Sequence, residues 1–189
     1  MSFKTSALFC LLLTLLTACS ADPGCRIQGS CTDESYRGVR LQNLDGSEIS
    51  STAVSGTEFS FLIDEDIRDA YMAELLFFNT ADSTDYVVVP VGIENGTVTI
   101  SYGASFKISG TPLNKKVYAF LSGMSRLRDE VTSPQRTVAV SEIPNEFSHF
   151  YCRSITLNYD NPLGAYIFDR YGSRLLGEDR TMAEQSLKR

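Results

Sequence analysis

Tryptophan is absent from the sequence, histidine occurs once, at His149, and no two cysteines stand in a C-x-x-C spacing. Without C-x-x-C there is neither a thioredoxin-type dithiol nor a zinc-ribbon half-site. A single histidine excludes a multi-histidine metal centre, and any Ser-His-Asp arrangement has to be built on His149. No Gly-x-Ser-x-Gly elbow accompanies it, and no Walker or Rossmann glycine loop is present. Basic residues are the minority, 17 Lys and Arg against 23 Asp and Glu, and they form no cluster. An acidic chain of this kind is repelled by nucleic acid, so no nucleic-acid partner is expected. The reading is therefore of a protein that is not an enzyme, with no cofactor and no metal.

The one long apolar run, Ala7 to Leu16, lies at the N-terminus behind a lone Lys4. It has the form of a secretory leader and is too short to span a bilayer as a permanent helix. Leu16-Thr17-Ala18-Cys19 then reads as a bacterial lipobox. Residues 1–18 are expected to leave, with Cys19 lipidated as the first mature residue. Two or three acyl chains on one residue give stable anchoring, so the membrane is the first partner. Ser20 follows the cysteine, where an aspartate would favour inner-membrane retention, so the outer membrane is the expected location. Loss of Lys4 takes the formal net charge from −6 to −7.

Residues 19–24 form a short polar tether. Cys25, Cys31 and Cys152 then remain in an oxidising compartment, as disulfide or free thiol. If Cys25 to Cys31 is one extended strand, the two lie about 20 Å apart, so direct pairing needs a turn at Gly29-Ser30. Cys25 or Cys31 with Cys152 would close a long loop, and the odd count leaves one thiol over. His149 and Cys152 are three residues apart and on one helical face, which could lower the thiol pKa. The neighbouring Phe147, Phe150 and Tyr151 favour a packed aromatic patch instead.

The organising stretch is Tyr86 to Ile100, two β-branched runs around Asn95-Gly96. That dipeptide predicts a type I′ hairpin. Pro90 confines the first arm to an edge or a bulge. Asn95-Gly96-Thr97 also fits a glycosylation sequon, but turn chemistry accounts for it. Further strands are predicted near Arg26 to Ser30, Val39 to Gln42, Glu48 to Val54, Thr57 to Ile63, Thr97 to Ser101 and Ser105 to Ser109. Ile67, Tyr71 and Leu75 fit a helical stripe, but length and the pair Phe77-Phe78 favour a buried strand over Tyr71 to Phe78. Asp64-Glu65-Asp66 reads as a solvated turn, since the spaced ligands and turn glycine of an EF-hand are missing. After Pro112 the texture turns helical: Leu113 to Arg128, Phe147 to Asn158, and Asn161 to Tyr171, with Asp160 or Asn161 as its cap and Pro162 in its first turn. Residues 177–189 are expected as a weakly held helical tail.

Arg26-Ile27-Gln28-Gly29, Asp45-Gly46, Phe59-Ser60-Phe61, Ile93-Glu94-Asn95-Gly96 and Gly110-Thr111-Pro112-Leu113-Asn114 occur in this order. In these motifs the chain resembles the N-terminal domain-of-unknown-function family of thioredoxin-like envelope lipoproteins of anaerobic Gram-negative bacteria. The likeness covers about residues 25–125 and continues more loosely through Asn158 to Ala165. The family's thioredoxin domain, with its Trp-Cys-x-x-Cys site, has no counterpart between Met1 and Arg189, so its redox activity does not carry over. The resemblance implies a β-sandwich-like domain, a helical appendix and an envelope lipoprotein group, with no settled activity to transfer.

The sequence thus predicts a mainly β protein: an antiparallel β-sandwich-like domain over residues 25–115, then a helical extension over 116–189. Its expected role is a lipid-anchored envelope module that binds a protein or glycan without catalysis. A thiol-redox accessory using Cys152 with Cys25 or Cys31, and a surface subunit assembling through its edge strand, are the alternatives.

Overall fold

In the computed structural model, residues 23–82 and 84–189 are described. Cys19 and the leader lie outside them. Eight strands come first: β1 (Cys25–Cys31), β2 (Gly38–Gln42), β3 (Glu48–Ala53), β4 (Glu58–Ile63), β5 (Tyr71–Phe78), β6 (Tyr86–Ile93), β7 (Gly96–Tyr102) and β8 (Lys107–Ser109). Four helices follow, α1 (Pro112–Thr132), α2 (Ile143–Thr156), α3 (Pro162–Tyr171) and α4 (Gly177–Ser186).

The strands form two four-stranded sheets, ordered β4-β1-β7-β8 and β3-β2-β5-β6. All pairings are antiparallel except β1 with β7, which run parallel at the centre of the first sheet. Period-two alternation explains why the sheets stack. Ile27, Phe61, Val98 and Ile100 of one sheet point inward, as do Leu41, Leu75, Phe77 and Val91 of the other. Phe77 joins the layers, edge-on to Phe59 at 5.4 Å and stacked on Tyr102 at 4.7 Å.

The expected Asn95-Gly96 hairpin does not form. β6 pairs with β5 in one sheet and β7 with β1 and β8 in the other, so the dipeptide is the corner where the chain changes sheets. Gly96 takes φ +123°, but among the described residues no non-glycine has positive φ, as a type I′ turn would require of Asn95. Asn95 works through its amide instead. Its Oδ1 accepts from the backbone N–H groups of Gly24 and Ile67, both at 2.9 Å. Its Nδ2 donates to Asp66 Oδ1 at 2.8 Å and to the Ile67 carbonyl at 3.3 Å. One side chain thus fastens the approach to β1, the β4–β5 loop and the corner together, and it gives Asp66 a structural partner. Asn95→Gly separates the two readings, because a hairpin would tolerate glycine. Here it removes four hydrogen bonds, and thermal unfolding should show a loss of about 2 kcal/mol.

β5 is buried on both faces along Met72 to Leu75, because helices cover the outside of the second sheet there. α1 lies against β6 and β8, the edge strands on one side of the sandwich, and α3 packs on β5. Strands and helices share one apolar core. The expected boundary at 115/116 therefore falls inside α1. The tail is also better held than expected: α4 packs on α2, with Ala183 and Ser186 buried in the contact.

Candidate functional site

The residues singled out for thiol chemistry do not meet. Cys25 and Cys31 cap opposite ends of β1, which stays extended through Gly29-Ser30, and Cys152 lies on α2 facing α4. All three are free and at most 3% exposed. Burial pushes each thiol above its ordinary pKa, which disfavours the thiolate that redox or nucleophilic work requires.

His149 does not pair with Cys152 either. Its Nδ1 meets Asp179 Oδ2 of α4 at 2.8 Å. The same oxygen accepts the Ser148 hydroxyl at 2.5 Å, and Ser148 Oγ accepts the Leu176 N–H at 2.9 Å. The carboxylate sits between serine and imidazole, and Ser148 is fully buried. A nucleophilic triad has the imidazole in the middle, so this cluster clamps α4 rather than activating a hydroxyl. Its electrostatics are mutual. The hydrogen bond to Asp179 raises the His149 pKa; burial works to raise that of Asp179, but the bonds from Ser148 and His149 outweigh it and bring it down. The raised histidine stabilises α4 fully below its unfolded pKa, and that contribution fades as pH rises through the higher folded value. The lowered aspartate stabilises above its unfolded pKa and fails as pH falls through the folded one. Protection of the α4 amides against exchange should be greatest between those limits, and His149→Gln should abolish the alkaline limb and shrink the acid one, which the Ser148 bond then sustains alone.

The most distinctive motif proves to be a joint. Gly110 has φ +110°, and a Cβ there would sit 2.0 Å from the Thr97 carbonyl oxygen. Pro112 opens α1 at its first turn, and Glu94 Oε1 accepts the Leu113 N–H at 2.6 Å, placing a carboxylate on the helix N-terminus. Asn114 is fully buried and grips the Gly92 peptide of β6 at both ends: its Oδ1 accepts from Gly92 N at 2.9 Å, and its Nδ2 donates to Gly92 O at 2.7 Å. Nδ2 also donates to Thr111 Oγ1 at 2.8 Å. The Ile93–Gly96 and Gly110–Asn114 strings therefore seat α1 on the sandwich.

With α1 seated, a groove of about 560 Å³ opens between α1 and α2. Its α1 wall repeats with the helical period through Lys116, Ala119, Phe120, Gly123, Arg126 and Glu130. Phe150 and Arg153 of α2, with Leu157 just past its C-terminus, form the facing wall. Phe120 and Phe150 stack at 5.7 Å as its floor. Gly123 leaves room for the Phe150 ring, since a Cβ would come within 2.9 Å of it and push it aside. Leu157 at the lip is 66% exposed. Lys116 reaches Asp160 at 3.9 Å, but Arg126 and Arg153 have no carboxylate within salt-bridge distance among the described residues. Sequence reasoning did not find this surface. The α1 stripe was readable, but Arg153 joins it only through the packing of α2.

A second hollow, about 690 Å³, lies beside the outer face of the first sheet, among Ser and Thr side chains with Glu58 as its one charge. Among the described residues no helix is long and apolar enough to cross a membrane. No protein-family model, curated protein or solved structure matches the chain.

Proposed function

We propose that this chain is a lipid-anchored protein of the bacterial cell envelope that works as a non-catalytic binding module, with Cys19 as the anchor and the α1–α2 groove as its partner-facing surface. The groove is the observation that carries the reading: half-buried Phe150 and exposed Leu157 line it over the buried Phe120, and two guanidinium groups on its rim have no carboxylate partner among the described residues. Concave sites with apolar lining and a few placed charges are where proteins bind. The three buried, separated thiols support binding over the thiol-redox alternative.

The edge of β6 supports it over strand exchange. Gly92 turns its N–H and carbonyl outward to Asn114, and alternation gives Pro90, Val88 and Tyr86 the same outward sense. Asn114 fills the first of these places and Pro90 has no N–H to offer, so an incoming strand finds donors only at Val88 and Tyr86.

The anchor is tested by Cys19→Ser, which should move the protein from the membrane to the soluble fraction of an envelope preparation. Persistence in washed membranes would overturn the reading.

A further inference from the structure

Resting on the binding-module reading, we propose that the α1–α2 groove is the docking site for an acidic amphipathic α-helix of a partner protein. The partner lays its apolar stripe on Phe150, Leu127 and Leu157, over the buried Phe120, with carboxylates along Arg126 and Arg153.

Charge complementarity names the occupant. The chain as a whole is acidic, with a formal net charge of −6, yet this groove gathers Arg126 and Arg153 against one lining carboxylate, Glu130, while Lys116 at its end is paired with Asp160. Arg126 and Arg153 are exposed and have no carboxylate partner among the described residues, so no internal pair must break for them to engage one. Arginine presents a planar fork that grips a carboxylate with two parallel hydrogen bonds.

Shape names the class. From Lys116 to Glu130 the α1 wall is ~21 Å long at 1.5 Å per residue, or about four helical turns. Its residues recur at one-turn intervals, the spacing at which another helix presents i, i+3, i+4 and i+7 anchors. A single acyl chain or small anion calls for an enclosed pocket that buries most of its surface. This groove is a surface trough, with Leu157 at its lip 66% exposed. A second copy of the chain offers no free helix of the right kind, because the apolar side of acidic α4 is already spent on α2. Glu130 sets the polarity: the partner's acids lie beside Arg126 and Arg153, with a base or neutral residue opposite Glu130.

The test is photo-crosslinking of the full-length, membrane-anchored protein in its native host. p-Benzoylphenylalanine replaces Leu157 at the groove lip or Leu44, a control in the β2–β3 loop, and the crosslinked peptides are sequenced. The expected result is an adduct at position 157 but not at 44. The captured protein segment should have apolar residues at helical spacing flanked by Asp or Glu, and Arg126→Glu with Arg153→Glu should cut its yield at least tenfold. Both arginines are exposed and unpaired, so the double variant should keep the parent's melting temperature, which the same preparation checks. An adduct to an acyl lipid, to a glycan or to a second copy of this chain overturns the acidic helix while leaving the binding-module reading standing. A segment lacking the acidic pattern, a yield indifferent to charge reversal, or no adduct at 157 overturns it as well. Failure of the module reading shows separately, as the absence of any adduct, to protein, lipid or glycan, at position 157, while the fractionation of Cys19→Ser reads the anchor alone.

Discussion

Asn114→Leu should cost about 4 kcal/mol, because two buried backbone groups lose their partners at once. Asn114 stands in for a neighbouring strand, and its amide is the right shape for the Gly92 N–H on one side and the Gly92 carbonyl on the other. Leucine supplies neither group. It also strands the Thr111 hydroxyl, which receives the third hydrogen bond. Asn114→Asp is the instructive companion. It keeps an acceptor for the Gly92 N–H but sets a carboxylate oxygen where a donor stood 2.7 Å from the Gly92 carbonyl. Both variants should move the urea midpoint sharply downward, with the loss carried by the midpoint rather than by the slope. Equal stability of either variant and parent would refute the joint. A loss of that size is a large fraction of the 5–15 kcal/mol that holds a typical domain together.

The second large effect is expected at the contact between β5 and α3. Glu74 is 5% exposed, yet its Oε1 meets Arg170 Nη2 at 2.7 Å and lies 3.4 Å from the Tyr166 hydroxyl. Gln42 Nε2 approaches its other oxygen at 3.4 Å. Arg170→Met should cost about 3 kcal/mol, the low end for removing one partner of a buried pair, since Arg170 itself keeps contact with water. The double variant Glu74→Leu, Arg170→Met should recover most of that loss, because the penalty lies in stranding the carboxylate. A double-mutant cycle from urea unfolding measures the coupling directly. Additive losses would mean that the two groups do not depend on each other.

Much of the fold was readable because strand position is a local property. The alternation Phe59, Phe61 in β4 and Val98, Ile100 in β7 reports a buried face without knowledge of what covers it. The continuous run in β5 read as a fully buried strand for the right reason, since sheet and helix bury opposite faces. Pro90 gave the edge position of β6. Of the two candidate caps of α3, Asp160 and Asn161, it is Asn161 whose Oδ1 accepts the Leu163 N–H, at 3.2 Å.

Strand partnership was not local and was misread at Asn95-Gly96. The same dipeptide serves a tight hairpin and a corner between sheets. What decided here is a bond to Gly24, 71 residues away. The tail misled because α4 docks through Ala183, Ser186 and the Asp179 clamp, which carry little hydrophobic signal. Of the candidate site, the helical stripe of α1 was visible in principle. The lone histidine and the last cysteine drew attention instead because they are rare, yet they serve the packing of α2 on α4.

The fastening of Gly24 to Asn95 sets a leash length. Gly24 lies five residue steps on from Cys19, and a polypeptide spans at most about 3.6 Å per step, so an acylated Cys19 would hold this corner within ~18 Å of the lipid surface. α1 starts at the same corner, through the bond between Leu113 and Glu94, and the Lys116 end of the groove begins one turn further on. Were Cys19 acylated, a tether this short would give the proposed module little freedom to roam. It would meet neighbours close to the bilayer, such as juxtamembrane helices, sooner than bodies drifting in the bulk.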